Sequence, residues 1–325
     1  IESATITIFS GFQSAEDVLA FSDTSSITGS WNASTGVLTL SGSDTLANYE
    51  AALESVTYNN TSDDPNTDNR SISWVVNDGD TSSSAVTSTI TITAVNDAPV
   101  LTTPTAGTIT EDSDASTTTT SNLSGTLSAS DADGDTLTYG ITGGTVDSGT
   151  STLAGTYGSL VINTTTGEYT YTPTSAAVEA LFAGANTDSF SVTASDGTAT
   201  TTSTYTVNIT GADDSAVISG DVTGTGTEDT SAITGTLSAT DVEGLADNTY
   251  FTVSTTPSQG TASIDAASGA WSYTPNAHAN GSDSFNVTIT DDCGGTTTQA
   301  IALTITAVND APVTTGAGST LAFTE

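Results

Sequence analysis

The residues with the most chemical potential are carboxylates, and they recur in short runs. Asp131-Ala132-Asp133-Gly134-Asp135, Asp213-Asp214 and Asp241-Val242-Glu243 are the densest. Single acids accompany them at the ends of alternating segments: Glu111, Glu228, Asp188, Asp283, Asp196 and Asp291. Two Asn-Asp pairs, Asn96-Asp97 and Asn309-Asp310, complete the set. Oxygen donors of this kind suit two chemistries. One is the paired acid and base of glycoside cleavage. The other is ligation of a hard cation, which collects carboxylate, amide and carbonyl oxygens. The inventory removes most alternatives. The chain has one His (His278), one Cys (Cys293), one Arg (Arg70) and no Lys. Most nucleophile–base pairs, Schiff-base chemistry and Cys/His metal sites have no residues to draw on.

The charge balance narrows the field further. One basic residue faces 38 acidic ones, for a formal net charge of -37. Binding to a phosphate backbone needs Lys and Arg to displace counterions, so nucleic acid is excluded. The same charge argues against an anionic membrane surface. Acidity here is not the mark of disorder, because 35% of the residues are apolar and they are spread along the chain. No apolar run approaches the roughly 20 residues of a membrane helix, so direct membrane insertion is not expected. A single Cys forms no internal disulfide, so another device must stabilise the fold. A chain of 325 residues without Met reads as a piece of something longer.

The elements that must position these acids are β-strands. Ala4-Thr5-Ile6-Thr7-Ile8-Phe9, Tyr205-Thr206-Val207-Asn208-Ile209 and Phe285-Asn286-Val287-Thr288-Ile289 alternate with period two, and turn residues separate such segments. Two short helical stretches are expected, at Leu46–Leu53 and 175–182. An internal repeat sets the boundaries. Ile92-Thr93-Ala94-Val95-Asn96-Asp97-Ala98-Pro99-Val100 returns as Ile305-Thr306-Ala307-Val308-Asn309-Asp310-Ala311-Pro312-Val313, with a degenerate copy beginning at Ile209. The expected units are 1–95, 96–212, 213–308 and a stub at 309–325. Units of about 100 residues with roughly seven short strands predict tandem immunoglobulin-like β-sandwiches.

Strand lengths then place the acids at the ends of the sandwiches. The 15 residues from Asn96 to Glu111 span roughly 50 Å when extended, enough to cross a sandwich. By that reckoning Glu111, Asp188, Asp213, Asp214, Asp241, Glu243 and Asp291 meet between the second and third units. Asn96, Asp97, Asp131, Asp133 and Asp196 meet between the first and second. Glu228, Asp283, Asn309 and Asp310 lie at the far end of the third. Carboxylates packed together without a basic residue repel strongly. Calcium, which accepts six to eight oxygens in flexible geometry, is the expected remedy. Solvated turn acids are the plainer reading, and Asp114, Asp147, Asp221, Asp247 and Asp265 are left to it. His278 is expected on a surface turn and Cys293 in a loop without a role. Trp31, Trp74, Trp271, Tyr171 and Tyr273 are expected in the cores. Thr117–Thr120 is expected as an exposed edge or loop.

At these residues the sequence resembles known modules. Asn96-Asp97-Ala98-Pro99 after a strand resembles the linker of cadherins, and Asp131-Ala132-Asp133 and Asp196 resemble that family's calcium motifs. Glu111 and Glu228 match its first-strand glutamate. The third unit departs from the pattern with Asp241-Val242-Glu243 and a linker, Asp213-Asp214, that lacks Pro. The second unit is similar to a VCBS repeat of large bacterial adhesins, through Glu111-Asp112, the run from Gly125 to Tyr139, Tyr157-Gly158-Ser159-Leu160 and Gly167-Glu168-Tyr169-Thr170-Tyr171-Thr172-Pro173. The third resembles the tandem cadherin-like repeats of the same proteins, through Trp271-Ser272-Tyr273-Thr274-Pro275 and Gly281-Ser282-Asp283-Ser284-Phe285. The first resembles another of their repeats, through Glu16-Asp17-Val18-Leu19, Gly36-Val37-Leu38-Thr39-Leu40 and Tyr49-Glu50-Ala51-Ala52-Leu53, but without its first strand.

The resemblance implies a segment of a giant type I-secreted surface adhesin, extracellular and stiffened by calcium. A non-enzymatic structural spacer of an adhesin or filament is the leading expectation. A module that binds a glycan or a protein is the alternative, and an enzyme would need a cleft that short loops hardly provide. The expected partners are neighbouring repeats, an unidentified surface ligand and, through strand donation by Thr320–Glu325, head-to-tail copies of the chain.

Overall fold

In Ser3–Ser10 the alternation of Thr with apolar residues puts Ala4, Ile6 and Ile8 on one buried face. The same rule runs through the chain. In Gly281–Thr290 it buries Phe285, Val287 and Ile289, and in Thr200–Gly211 it buries Tyr205, Val207 and Ile209. The computed structural model describes residues 1–112, 121–229 and 231–311. Thr117–Thr120, Asp114 and the expected donor strand Thr320–Glu325 lie outside the described residues.

The protein is all-β, built of tandem sandwiches over three separate apolar clusters. The first cluster lies under a five-stranded antiparallel sheet, in the order Thr28–Asn32, Val37–Ser41, Ser3–Ser10, Arg70–Asn77, Val86–Ile90. Its second layer is a two-stranded ribbon, Asp17–Ala20 with Thr57–Asn60, and the helix Leu46–Glu54. Thr45 caps that helix by accepting from the Asn48 amide at 3.2 Å, and Tyr49 and Ala52 pack inward. Among the five expected core aromatics, Tyr171, Tyr273 and Trp271 are fully enclosed, while Trp31 and Trp74 pack partly buried against the first cluster.

The second cluster lies between a five-stranded sheet that includes Gly158–Asn163 and Glu168–Pro173 and a four-stranded sheet. The latter runs Thr138–Ile141, Gly184–Ser195, Thr200–Gly211, Gly107–Thr110. The third repeats the scheme with four strands on each side. The entering chain of each is not one extended strand. Val100–Leu101 pairs with Ala129–Ser130 in one small sheet, and Gly107–Thr110 then joins the opposite sheet in parallel with the stretch Val207 to Thr210. Pro104 stands in the break, where it has no amide to offer a ladder. Val217–Gly220 and Thr223–Thr227 divide in the same way, with Gly220 at φ 111° at the switch. The four-residue helix Ser175–Val178 is shorter than the 175–182 stretch expected.

Candidate metal centres

The parallel pairing of each entering strand delivers a glutamate to the end of its sandwich. The Glu111 amide donates to the Thr210 carbonyl at 2.9 Å, and the Ala212 amide returns to Glu111 Oε2 at 2.8 Å. Glu228 has the same two links, to the Thr306 carbonyl at 3.2 Å and from the Val308 amide at 3.0 Å. In both residues one carboxylate oxygen is thereby used. The other, Glu111 Oε1 or Glu228 Oε2, is buried with no hydrogen-bond partner. Leaving such an atom unpaired costs on the order of 1–3 kcal/mol, and more when it is charged.

Around Glu111 the structure gathers acids from three further places. Asp213 and Asp214 follow the last strand of the second sandwich. Asp241 opens a turn in which its Oδ1 accepts from the Glu243 and Gly244 amides, both at 3.1 Å. Asp291 Oδ1 likewise accepts from the Cys293 amide at 3.0 Å and the Gly295 amide at 2.7 Å. These turns consume one oxygen of each aspartate and aim the other away from the local backbone. Asp241 Oδ2, Asp213 Oδ1 and both oxygens of Glu243 are buried without partners. Glu111, Asp214 and Glu243 each place an oxygen within 4.8 Å of the others, and so do Asp213, Asp291 and the thiol of Cys293. A Cβ on Gly295 would come within 2.5 Å of Asp291 Oδ2 and 2.7 Å of Asp213 Oδ2, so the glycine leaves open the space between them. No basic residue is present.

The electrostatics follow. Burial, with the charges of Glu179 and Asp214, pushes the Glu111 carboxyl above its ordinary value. Burial and the charges of Asp214 and Asp241 push Glu243 up to about 7. The Cys293 thiol is raised to about 12 by desolvation and by the charges of Asp213, Asp291 and Glu243. A donor set of six carboxylates, with oxygens left over, fits a hard dication with many ligands. It does not fit a solvated turn.

The cluster between the first and second sandwiches is looser. Asn96 Nδ2 donates to Asp196 Oδ2 at 3.0 Å, and the Asp97 amide donates to Asp133 Oδ2 at 2.6 Å. Asp131, Asp133 and Asp135 bring oxygens within 4.8 Å of one another. Asp131 Oδ2 is buried without a partner. Asp64, from the loop before Arg70–Asn77, joins Asp133 and Asp135 around a cavity of about 330 Å³. Desolvation and the charges of Asp131, Asp133, Asp196 and Asp64 raise the Asp135 carboxyl. Hydrogen bonds from Asn96 and from the Ala199 and Thr198 amides lower Asp196.

Two expected ligands are placed elsewhere. Asp188 accepts from the Thr156 amide at 2.8 Å, the Tyr157 amide at 3.0 Å and Tyr171 Oη at 2.7 Å. Asp283 accepts from Ser258, from the Gln259 amide at 2.8 Å and from Tyr273 Oη at 2.8 Å. Their oxygens are already engaged inside a single sandwich, so they fasten a loop rather than face a junction. Hydrogen bonding holds Asp283 down to about 2 in spite of burial. Asn309 and Asp310 line one cavity with Glu228. Asp310 Oδ2 meets His278 Nδ1 at 2.6 Å. Asp147, Asp221, Asp247 and Asp265 are exposed.

Sequence reasoning missed Glu179, Asp64 and the approach of Cys293 and His278 to the acids. Glu179 is 7% exposed, just beyond Ser175–Val178. No period marks it, because a single turn of helix carries too few residues to show one.

The sequence pattern of the bacterial cadherin-like domain matches residues 96–211 and 213–307. No curated protein matches the chain. Among solved structures, an endo-fucoidan hydrolase of glycoside hydrolase family 107 is similar at 19% identity and TM-score 0.27, over 90% of this chain but only 39% of its own length. Extracellular cadherin domains 3–6 of protocadherin gamma B2 are similar at 14% identity and TM-score 0.33, over 90% of this chain and 69% of that one. Human protocadherin-24 domains EC1–2 are similar at 16% identity and TM-score 0.31, over 66% of this chain and all of that one.

Proposed function

This chain belongs to the bacterial cadherin-like domain family, whose members serve adhesion-type structural roles, and we propose that it is a calcium-rigidified spacer of an extracellular adhesin or filament. The observation that carries the reading is the set of buried, unpartnered carboxylate oxygens on Glu111, Asp213, Asp241 and Glu243. They come from the end of one sandwich, the linker and the start of the next. A cation they shared would tie all three together. Glu111, Asp213, Asp214, Asp241, Glu243 and Asp291 would hold it. Asn96, Asp97, Asp131, Asp133 and Asp196 would do the same at the looser junction, with Asp64 and Asp135 added.

Calcium, when bound, would supply the positive charge that neutralises these acids. The chain's own residues do the rest. The turns at Asp241 and Asp291 hold one oxygen of each aspartate and pre-orient the other. Glu111 is fixed through its second oxygen to the Ala212 amide. Without the cation the acids repel and the linker loosens. At low intracellular calcium the array would therefore stay pliant for export, and millimolar external calcium would stiffen it. The reading is non-enzymatic, because the acids sit at repeating junctions and not around one substrate cleft. Its partners are neighbouring repeats, and head-to-tail association of copies would lengthen the same rod.

Small-angle scattering with thermal melting, in millimolar calcium and in chelator, tests this. The expected result is an extended, stiff particle that shortens and softens in chelator while its melting point falls. Identical curves in both conditions would sink the calcium reading and shift weight to a module that binds glycan or protein through its loops.

A further inference from the structure

The three sandwiches differ at the strand that closes each unit. In the second, Thr200–Gly211 is paired along its outer edge with Gly107–Thr110, with Ile209 opposite Ile109 and Thr210 opposite Thr110. In the third, Thr296–Thr306 is paired in the same register with Thr223–Thr227, with Ile305 opposite Gly226 and Thr306 opposite Thr227. In the first, the closing strand Val86–Ile90 is the last of its sheet and pairs, among the described residues, only with Arg70–Asn77. It also stops short. Ile92 and Thr93 hold the places of Ile209-Thr210 and Ile305-Thr306, yet they lie outside any ladder. Ile209 and Ile305 are 1% and 3% exposed, whereas Ile92 is half-buried and Val86 is 67% exposed. In a chain with 38 acids, no charged residue and no proline lies between Thr81 and Val95 to guard this edge.

A strand that fits is written elsewhere in the chain. Leu321-Ala322-Phe323-Thr324-Glu325 repeats the pattern of Gly107-Thr108-Ile109-Thr110-Glu111, with an apolar residue two places before a glutamate. We propose that residues 321–325 of a second copy add to this edge as a parallel strand. The two paired sandwiches fix the register. Leu321 stands opposite Ile90, Phe323 opposite Ile92 and Thr324 opposite Thr93. The Glu325 amide donates to the Thr93 carbonyl, as the Glu111 and Glu228 amides donate to Thr210 and Thr306. The Val95 amide donates to the Glu325 side chain, as those of Ala212 and Val308 do to their glutamates. Leu321 and Phe323 extend the first cluster past Ile90, which packs only partly buried against it. Main-chain pairing supplies the affinity, and the alternating apolar side chains hold the register. Donor and acceptor are different surfaces of one chain, so the contact does not close on itself and copies add head to tail. The assignment rests on the head-to-tail part of the proposed function and gives it a site.

Sedimentation velocity on the whole chain over a wide concentration range tests this, with hydrogen exchange and calcium-dependent melting recorded on the same samples. Mass is expected to climb with concentration through dimers to longer species, and the Thr91 and Thr93 amides are expected to gain protection as it does. Two substitutions probe the two sides. Phe323→Asp alters the donor, and Thr91→Pro removes an acceptor amide that this register points at the donor. Each is expected to weaken association by about tenfold or more. A monomer at every concentration would overturn the assignment. So would association that ignores both substitutions, or that stops at a dimer, as edge-to-edge pairing of two Val86–Ile90 strands would. A calcium response beside a persistent monomer refutes this site and spares the spacer reading. Association without a calcium response supports this site and refutes the spacer reading.

Discussion

Two buried acids meet opposite fates in this molecule. Asp17, in the first sandwich, is 1% exposed and paired with Arg70, which is fully buried. Arg70 Nε reaches Asp17 Oδ2 at 3.0 Å, Tyr58 Oη donates to Oδ1 at 2.6 Å, and the Gln13 amide donates to Oδ2 at 2.8 Å. The guanidinium also reaches Glu16 at 3.3 Å and the carbonyls of Asn66 and Asp68, so it pins the loop that carries Asp64. Between the second and third sandwiches, Glu111 and Asp291 are nearly as deep, and the acids gathered there have no basic residue among them. The chain spends its only basic residue inside the first sandwich. Asp188 and Asp283 show a third solution, a tyrosine hydroxyl with two or three amides. The difference teaches that burial of acid is tolerated here wherever the fold itself supplies donors. Where it supplies none, the proposed solution cation would have to.

Breaking the first site should therefore cost most and persist in chelator. Arg70→Leu leaves Asp17 charged and without its ion-pair partner in the interior, and a loss of about 3–5 kcal/mol is expected in denaturant melts. The loss should remain when chelator empties the junctions. A loss seen only with calcium bound would erase the distinction between the two sites.

Removing the solution cation should cost less per site and spare the first sandwich. A ligand at about 100 times its dissociation constant contributes about 2.7 kcal/mol per site. Hydrogen exchange is expected to rise in chelator around Glu111, Asp213 and Asp241 while the amides of Arg70–Asn77 stay protected. Glu243→Gln should shrink that response. The same change should raise metal-free stability by on the order of 1–3 kcal/mol, because it removes a repelled and desolvated charge.

The third solution can be probed by Tyr273→Phe, which removes one donor from Asp283. A loss of about 1–3 kcal/mol is expected at neutral pH, since the carboxylate keeps its amides. Thermal melts of the variant in calcium and in chelator should shift by the same amount.

The pH dependence has opposite signs at the two kinds of acid. Folded Glu243 titrates near about 7, above its ordinary 4.5. Its contribution is fully present below about pH 4.5 and is lost as pH rises through about 7. Folded Asp283 titrates near about 2, below its ordinary 3.8. Its contribution is present above about pH 3.8 and is lost as pH falls through about 2. In chelator, melting temperature should decline between pH 4.5 and 7. Calcium should flatten that slope, because it binds the ionised form. A metal-free profile flat across this window would contradict the burial of Glu243.

Much of this was legible from the chain alone, for a physical reason. Strand alternation, proline breaks and a returned linker motif are local patterns, so the tandem all-β architecture and its helix at Leu46 could be read directly. Composition showed that 38 acids share one base, and strand lengths sent the acids to sandwich ends. Which oxygens would be left over was not local. Asp188 lies inside the strand Gly184–Ser195, and Asp291 just after the strand Gly281–Thr290. Only the arrival of Tyr171 across the sandwich occupies the first, while the turn at Cys293 and Gly295 leaves the second with an oxygen to offer. Glu179, Asp64 and His278 reach their clusters through loops whose course depends on packing. The kinds of atoms that would need a cation were thus set by the sequence. The places where they need one were decided by tertiary hydrogen bonding, because a carboxylate's demand is met or missed by partners tens of residues away.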